Sequence, residues 1–416
     1  MGFNQGLSGL NSAAKNLDVI GNNIANTSTV GFKASRTEFA DVYAASLFGQ
    51  SSLDVGIGSK VAAVAQQFNQ GNVSVTNNPL DLAISGEGFF QLDQNGLATY
   101  TRNGQFQMDK DGFIVDNAGR KLTGNLAAAG VVVGGPPVDL QVSLGVAPPN
   151  VTTTAQITAN LDSTSIAPTG AVLGTASIVP ATPSTYNYST TFTVYDTAGT
   201  AQGLTLYFQK AGAGWNMAGY IGANQVLPVA GVNTAATMTF AANGTVATVN
   251  GVVPPAPGSI LATTAIVGGM PSFNLNLTQL TQYGSSSGVS FVSQDGYSAG
   301  QFAGLSVDKT GLLQGRYTNG QTLTLGQVLM TSFLNPNGLQ PQGDNQWAET
   351  AAAGKQSSDA PGNGVLGYLQ SGAVEDSNVD LTAELVNMIV AQRMYQANAQ
   401  TVKTQDQVLQ TLVNLR

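Results

Sequence analysis

Cysteine and histidine are both absent from this chain of 416 residues, and the two gaps exclude much chemistry. Without cysteine there are no disulfides, no thiolate metal sites and no thiol nucleophile, so packing alone must hold the fold. Without histidine the commonest general base, the Ser/His/Asp and Cys/His systems and the imidazole metal sites are gone. Charge is scarce too. Charged residues make up 9% of the chain, where ordinary soluble domains carry about 25%. The net charge of -8 comes with no basic stripe, which argues against a surface that tracks nucleic-acid phosphates. The most apolar long stretch, Val249 to Met270, is broken by Pro254, Pro255, Pro257 and several glycines, so it is not expected to span a membrane as a helix. The first residues, MGFNQGLSGL, lack the basic and apolar regions of a secretory signal, and Gly6 stands where a myristoylation motif wants Ser or Thr. An exported chain of this kind would need a dedicated export machine.

What is present is glycine, 50 residues of it, with threonine, valine and asparagine through most of the length. That mixture favours short strands joined by tight turns. The length suggests two or three globular units. Helix signals sit at the two ends. Phe3, Leu7, Leu10, Ala14, Leu17 and Ile24 repeat with a 4-3 spacing that puts them on one helix seam. Gly21-Asn22-Asn23 and Asn26-Thr27-Ser28 should end that helix within a few residues. At the other end Leu381, Leu385, Met388, Tyr395, Ala399, Val402, Leu409 and Val413 carry the same spacing behind a capping-box-like pair, Ser377 and Asp380. Glu375, Asp376, Asp380 and Glu384 at its start and Arg416 at its end would complement the helix dipole. Gln392 and Asp406 fall on the apolar seam, where a buried polar residue could fix register. The expected fold is a mainly β body with N- and C-terminal α-helices forming a coiled coil, multidomain and with discontinuous domains.

An internal echo supports the discontinuity. Asp109-Lys110-Asp111-Gly112-Phe113-Ile114 resembles Asp308-Lys309-Thr310-Gly311-Leu312-Leu313, and Asn-containing turns follow at Asn117 and Asn319. Two similar hairpins would then flank an insertion, with edges at Gly134-Gly135-Pro136-Pro137 to Pro148-Pro149 and at Gly284-Ser285-Ser286-Ser287-Gly288. The expected layout is a helix over 1–26 paired with 373–416, a connecting segment over 27–70, and a β domain from 71–145 and 286–353. An inserted β domain over 146–285 and a linker over 354–372 complete it.

Candidate chemistry is thin. Asp109, Asp111 and Asp116 suggest an oxygen-ligand calcium loop, but the spacing departs from the ligand pattern and lacks a closing bidentate Glu, so a hairpin turn with Gly112 left-handed is preferred. Gly86-Glu87-Gly88 and Gly56-Ile57-Gly58-Ser59-Lys60 complete no phosphate cradle and read as turns. Nothing places Asp81 and Glu87 opposite one another as an acid/base pair, and solvated loop carboxylates are the plainer reading. No catalytic, metal or cofactor set is expected, and the chain is read as a structural subunit. An amphipathic helix usually packs on its own domain, yet both stripes here lie at chain ends with few large apolar partners nearby. They are expected to order fully only when neighbouring subunits cover them.

The motifs resemble a family, the axial rod and hook proteins of the bacterial flagellum, and its hook members most. Leu17 to Thr27, with Asn22, Asn23 and Asn26, followed by Val30-Gly31-Phe32-Lys33, looks like the signature shared by rod and hook subunits. Leu80 to Phe90 and Thr101 to Phe106 are similar to the first β-domain motif. Ser371-Gly372-Ala373, Ser377 to Leu381 and Glu384 to Arg393 match at the C-terminus. The large middle, Phe333-Leu334-Asn335-Pro336 with Gly338-Leu339 and Gly343 to Trp347, and the ending Thr411 to Arg416 resemble hook rather than rod members. The resemblance covers about residues 1–125 and 295–416. It implies a curved, flexible tube of many copies, a universal joint carrying motor torque to the filament, with the paired helices lining an inner channel. It also implies a location outside the cell, at the basal body and hook, reached without a cleaved signal peptide. The implied partners are copies of the chain, a distal rod protein, a hook cap, a hook-filament junction protein and the flagellar export apparatus. No nucleic acid and no membrane insertion are implied. A distal rod subunit, assembling straight, is the alternative within the family. A secreted adhesin or glycan-binding β protein is the alternative outside it.

Overall fold

A computed structural model describes residues 2–42, 56, 58–128, 130–143, 145–173, 178–227, 235–249, 260–262 and 272–414. The chain divides into two compact units: Met1–Leu144 with Ala303–Arg316 and Thr322–Arg416, and Gly145–Phe302 with Tyr317–Gln321.

The first unit carries both helices. Helix α1 (Gly2–Ala25) runs through Gly21 and ends where its asparagines and threonines compete for the backbone. Asn26 Nδ2 donates to the Asn22 carbonyl at 2.9 Å, and Thr27 Oγ1 to that of Ile24 at 2.8 Å. Helix α2 (Leu381–Asn414) is capped by Asp380, whose Oδ1 accepts the Thr382 and Ala383 N–H groups at 2.9 and 3.1 Å. The expected capping pair is thereby corrected. Asp380 alone is the cap, and Ser377 Oγ accepts only the Val379 N–H, before the helix. Of the four acids expected along the helix start, Glu384 lies in the first turn and Glu375 lies in a strand (Ala373–Glu375). Arg416 lies outside the described residues, as do Ile57 and, apart from Val249 and the short strand Ile260–Ala262, the apolar stretch Val249 to Met270.

The main sheet of this unit is antiparallel and built from both sides of the sequence gap. Its path runs Leu312–Tyr317, Thr322–Val328, Lys121–Ala128, Phe89–Gln94, Leu97–Thr101, Gln346–Ala348, Gln340–Gly343. The echoed hairpins close alike. Asp109 N–H donates to the Phe113 carbonyl at 2.9 Å and Asp308 N–H to that of Leu312 at 3.1 Å. Gly112 and Gly311 both sit near φ +80°, at 84° and 79°, where only glycine is unstrained. Asp109 Oδ1 accepts the Asp111 and Phe113 N–H groups at 2.9 and 2.7 Å, which makes it a turn cap.

Several segments expected to be connections are structured. Ser35–Val42 pairs with Gly58–Gln66 as an antiparallel ribbon, so Gly58, Ser59 and Lys60 open a strand rather than a turn. Within the expected linker, Gln356–Asp359 pairs with Met330–Phe333, and Tyr368–Ser371 with Leu82–Ser85. These strands are four residues long and their partners distant in sequence, so no local periodicity marks them.

Among the described residues the second unit is a β structure with two sheets. Tyr188–Tyr195, Ala201–Ala211, Gly214–Ile221, Ala236–Phe240 and Val246–Val249 form one path, with Asn224–Leu227 beside Gly214–Ile221. The other orders Ile260–Ala262, Asn274–Asn276, Thr154–Asn160 and Gly288–Gln294. The last strand corrects an expected boundary: Gly288–Gln294 pairs with Thr154–Asn160, so the glycine-serine run before it does not end the insertion. Leu204, Leu206 and Phe208 alternate with Thr205 and Tyr207, and this period of two delivers them to a core with Ile157, Trp215, Met217 and Leu275.

Candidate assembly site at the paired helices and their base

The two helices run antiparallel, with residues near the start of α1 facing the later part of α2. Their contact is made by small residues. A Cβ on Gly6 would lie 2.9 Å from Val402 Cγ2, and one on Gly9 would lie 2.8 Å from the Asn398 side chain, so glycine is what permits the approach. At the far end Asn23 Nδ2 reaches Glu384 Oε1 at 3.3 Å. Along α2 the least exposed positions are Glu384, Met388, Ala391, Asn398, Ala399, Val402 and Gln405, a line of 4-3 spacing.

The expected seams are therefore displaced around the helices. Met388, Ala399 and Val402 lie on the contact line, and Tyr395 sits at its edge, 37% exposed. Leu10, Ala14, Leu17 and Ile24 are half-buried, but Phe3 and Leu7 are exposed. Leu381 and Leu385 are exposed, and so are Leu409, which keeps the phase of the line, and Val413, which lies one position past it. Gln392 and Asp406 are exposed, Asp406 accepting from Gln410 at 3.0 Å, so neither acts as a buried register device here. Beyond the expected residues, Val386, Ile389, Val390 and Met394 remain 50–56% exposed.

The base of the helix pair is a buried charge cluster. Glu375 holds Lys33 Nζ at 2.7 Å and Arg102 Nη1 at 3.3 Å, and these side chains are 0%, 0% and 3% exposed. Lys33 also donates to the Asn69 carbonyl at 2.8 Å, Arg102 to that of Gly86 at 3.0 Å, and the Gly71 N–H to Glu375 at 2.9 Å. Burial pushes the Lys33 amine below the ordinary lysine range; Glu375 opposes that and Arg102 adds to it. Asn378 ties the same segments: its Oδ1 accepts the Ala34 N–H at 2.7 Å, and its Nδ2 donates to the carbonyls of Gln67 and Asn69.

The signature residues build this base. Asn23, buried, clamps Ser35 through both its amide groups, at 2.8 and 2.9 Å. Asn22 and Asn26 bond each other across the last turn of α1, and the Phe32 N–H donates to the Thr29 carbonyl at 3.2 Å. Gly31 has φ +71°, and a Cβ there would lie 2.6 Å from the Asn103 nitrogen. Its N–H donates to the Glu375 carbonyl at 2.7 Å. Beside the base, Phe68, Phe89, Phe333, Trp347 and Tyr100 pack edge to face. Burial, with the Glu349 carboxylate adding, pushes the Tyr100 phenol up to about 12. Lys33 and Arg102 lie inside the signature motifs, but nothing in either motif names Glu375 as their partner. Asp81 and Glu87 each form a single bridge, to Gln105 and Leu366 respectively.

Four family models match the chain. Flagella basal body rod protein covers residues 3–33, Flagellar hook protein FlgE/F/G D1 domain 83–174, Flagellar basal body protein FlaE D2 domain 160–297, and Flagellar basal body rod FlgEFG protein C-terminal 370–415. The flagellar hook protein FlgE of Escherichia coli is 41% identical over the whole of both chains, and that of Salmonella typhimurium is 40% identical over the whole of both. Among solved structures, the Helicobacter pylori flagellar hook protein FlgE2 is 13% identical with a TM-score of 0.51, covering 73% of this chain and all of that one; it bears on the fold alone. With its end-to-end identity to hook proteins, the chain belongs to the flagellar hook protein family.

Proposed function

We propose that the chain is a hook subunit, polymerising with copies of itself into a curved, flexible tube that carries torque from the flagellar motor to the filament. One observation carries the reading. Leu385, Val386, Ile389, Val390 and Met394 form an apolar face on α2 that the first unit leaves about half uncovered. Covering it would return about 4–7 kcal/mol per copy, at half the usual value for fully burying such side chains. An isolated chain gains none of this. In the assembly the helix pair acts as a coiled coil whose remaining faces, with Phe3, Leu7, Leu409 and Val413, meet neighbouring helices. Sparse charge suits contacts that must slide as the tube bends, because fixed ion pairs would resist repacking. Distal rod protein, hook cap, junction protein and export apparatus are the expected partners, at a hook outside the cell.

Electron microscopy of the full chain at rising concentration tests this. Curved tubes above a threshold concentration are expected. A chain that stays monomeric at all concentrations, or forms straight rods alone, overturns it.

A further inference from the structure

Lys33 and Arg102 bring two positive charges to the base of the helices, and Glu375 is the carboxylate that pairs with both. The guanidinium of Arg102 is used on one side only. Nη1 serves Glu375 and Gly86, while among the described residues neither Nε nor Nη2 has a hydrogen-bond partner. A buried donor left unmade is costly, and that free edge is the fork that matches the two oxygens of a carboxylate. Arg102 lines a cavity of about 490 Å³ whose other walls include Phe68, Phe89, Phe333 and Leu334. Leu334, one of those walls, is 88% exposed, an apolar surface that a partner's side-chain stem could cover.

We propose that this cavity receives an acidic side chain of a second copy of the chain, its carboxylate on the free edge of Arg102 and its stem against Leu334 and the phenylalanines. The source rests on the self-assembly proposed above. The composition favours it, since 23 acidic residues face 15 basic ones and a neighbour offers carboxylates more readily than cations. Among the described lining residues Glu87, which is exposed, is the acid that could compete internally for Arg102.

The test uses the full chain with nitrogen-15 arginine, the Arg102 Nε–H signal being identified by its loss in Arg102→Lys. In the dilute monomer, sodium acetate should shift that signal saturably while sodium chloride at equal ionic strength does not. Equal responses to the two salts overturn the site. If the signal is already shifted and moves back in Glu87→Gln, the edge is filled internally and the proposal fails. For the source, Asn337→Trp places a bulky ring on an exposed wall residue and should slow tube formation about tenfold, with an unchanged melting temperature. Tubes forming at the wild-type rate overturn the second-copy assignment. Should the unaltered chain form no tubes at all, the function reading fails first and the second-copy source with it, while the acetate response still decides the pocket.

Discussion

The second unit and the terminal helices treat apolar side chains in opposite ways. In the second unit Leu204, Leu206, Phe208, Trp215 and Met217 are wholly buried, on two paired neighbouring strands. On α2 the residues of similar size sit about half uncovered along a single helix. Both segments carry regular hydrophobic patterns, so pattern alone does not say whether a face is satisfied within one molecule. The difference lies in what is available to cover it. A sheet facing a sheet closes its own core, whereas a long helix with one shorter helix beside it buries one line of contact and leaves the rest.

Substitutions at the two extremes should separate the regions. Phe208→Ala should cost the second unit about 3–5 kcal/mol, seen as an earlier urea transition, while leaving tube formation by properly folded chains intact. Glu375→Gln should cost the first unit about 3–5 kcal/mol, because it strands Lys33 and Arg102 as buried unpaired cations; an unchanged denaturation midpoint would show the cluster to be neutral. Ile389→Asp should alter monomer stability by no more than about 0.5 kcal/mol yet abolish assembly, and a destabilised monomer would mean the face is already packed. The smallest effect concerns pH. With its phenol raised to about 12, Tyr100 keeps its proton longer folded than unfolded, so its contribution is complete below about pH 10 and is lost as pH rises towards 12. Stability followed by circular dichroism should fall in that window, and fall less in Tyr100→Phe.

The periodicity of the ends located both helices, and the tandem of Asp and Gly located both echoed turns, since those signals are local. The rotation of the helices was harder to read. A search for large apolar residues finds Phe3, Leu7 and Leu385, but the contact is made where Gly6 and Gly9 let α2 come close, and small residues carry no hydrophobic signal. Glu375 illustrates a second limit. An acid shortly before a helix suits the helix dipole, and only the fold reveals that its partners are Arg102 and Lys33, 273 and 342 positions away. The short strands after residue 354 were missed for the same reason, their pairing being with Leu82–Ser85 and Met330–Phe333.

That separation of 342 positions between Lys33 and Glu375 sets an order of events. Closing so long a loop is slow, and until the final stretch of chain has arrived the first helix has neither its companion nor the anchor beneath it. A chain without its last segment would hold Lys33 and Arg102 with no buried carboxylate between them.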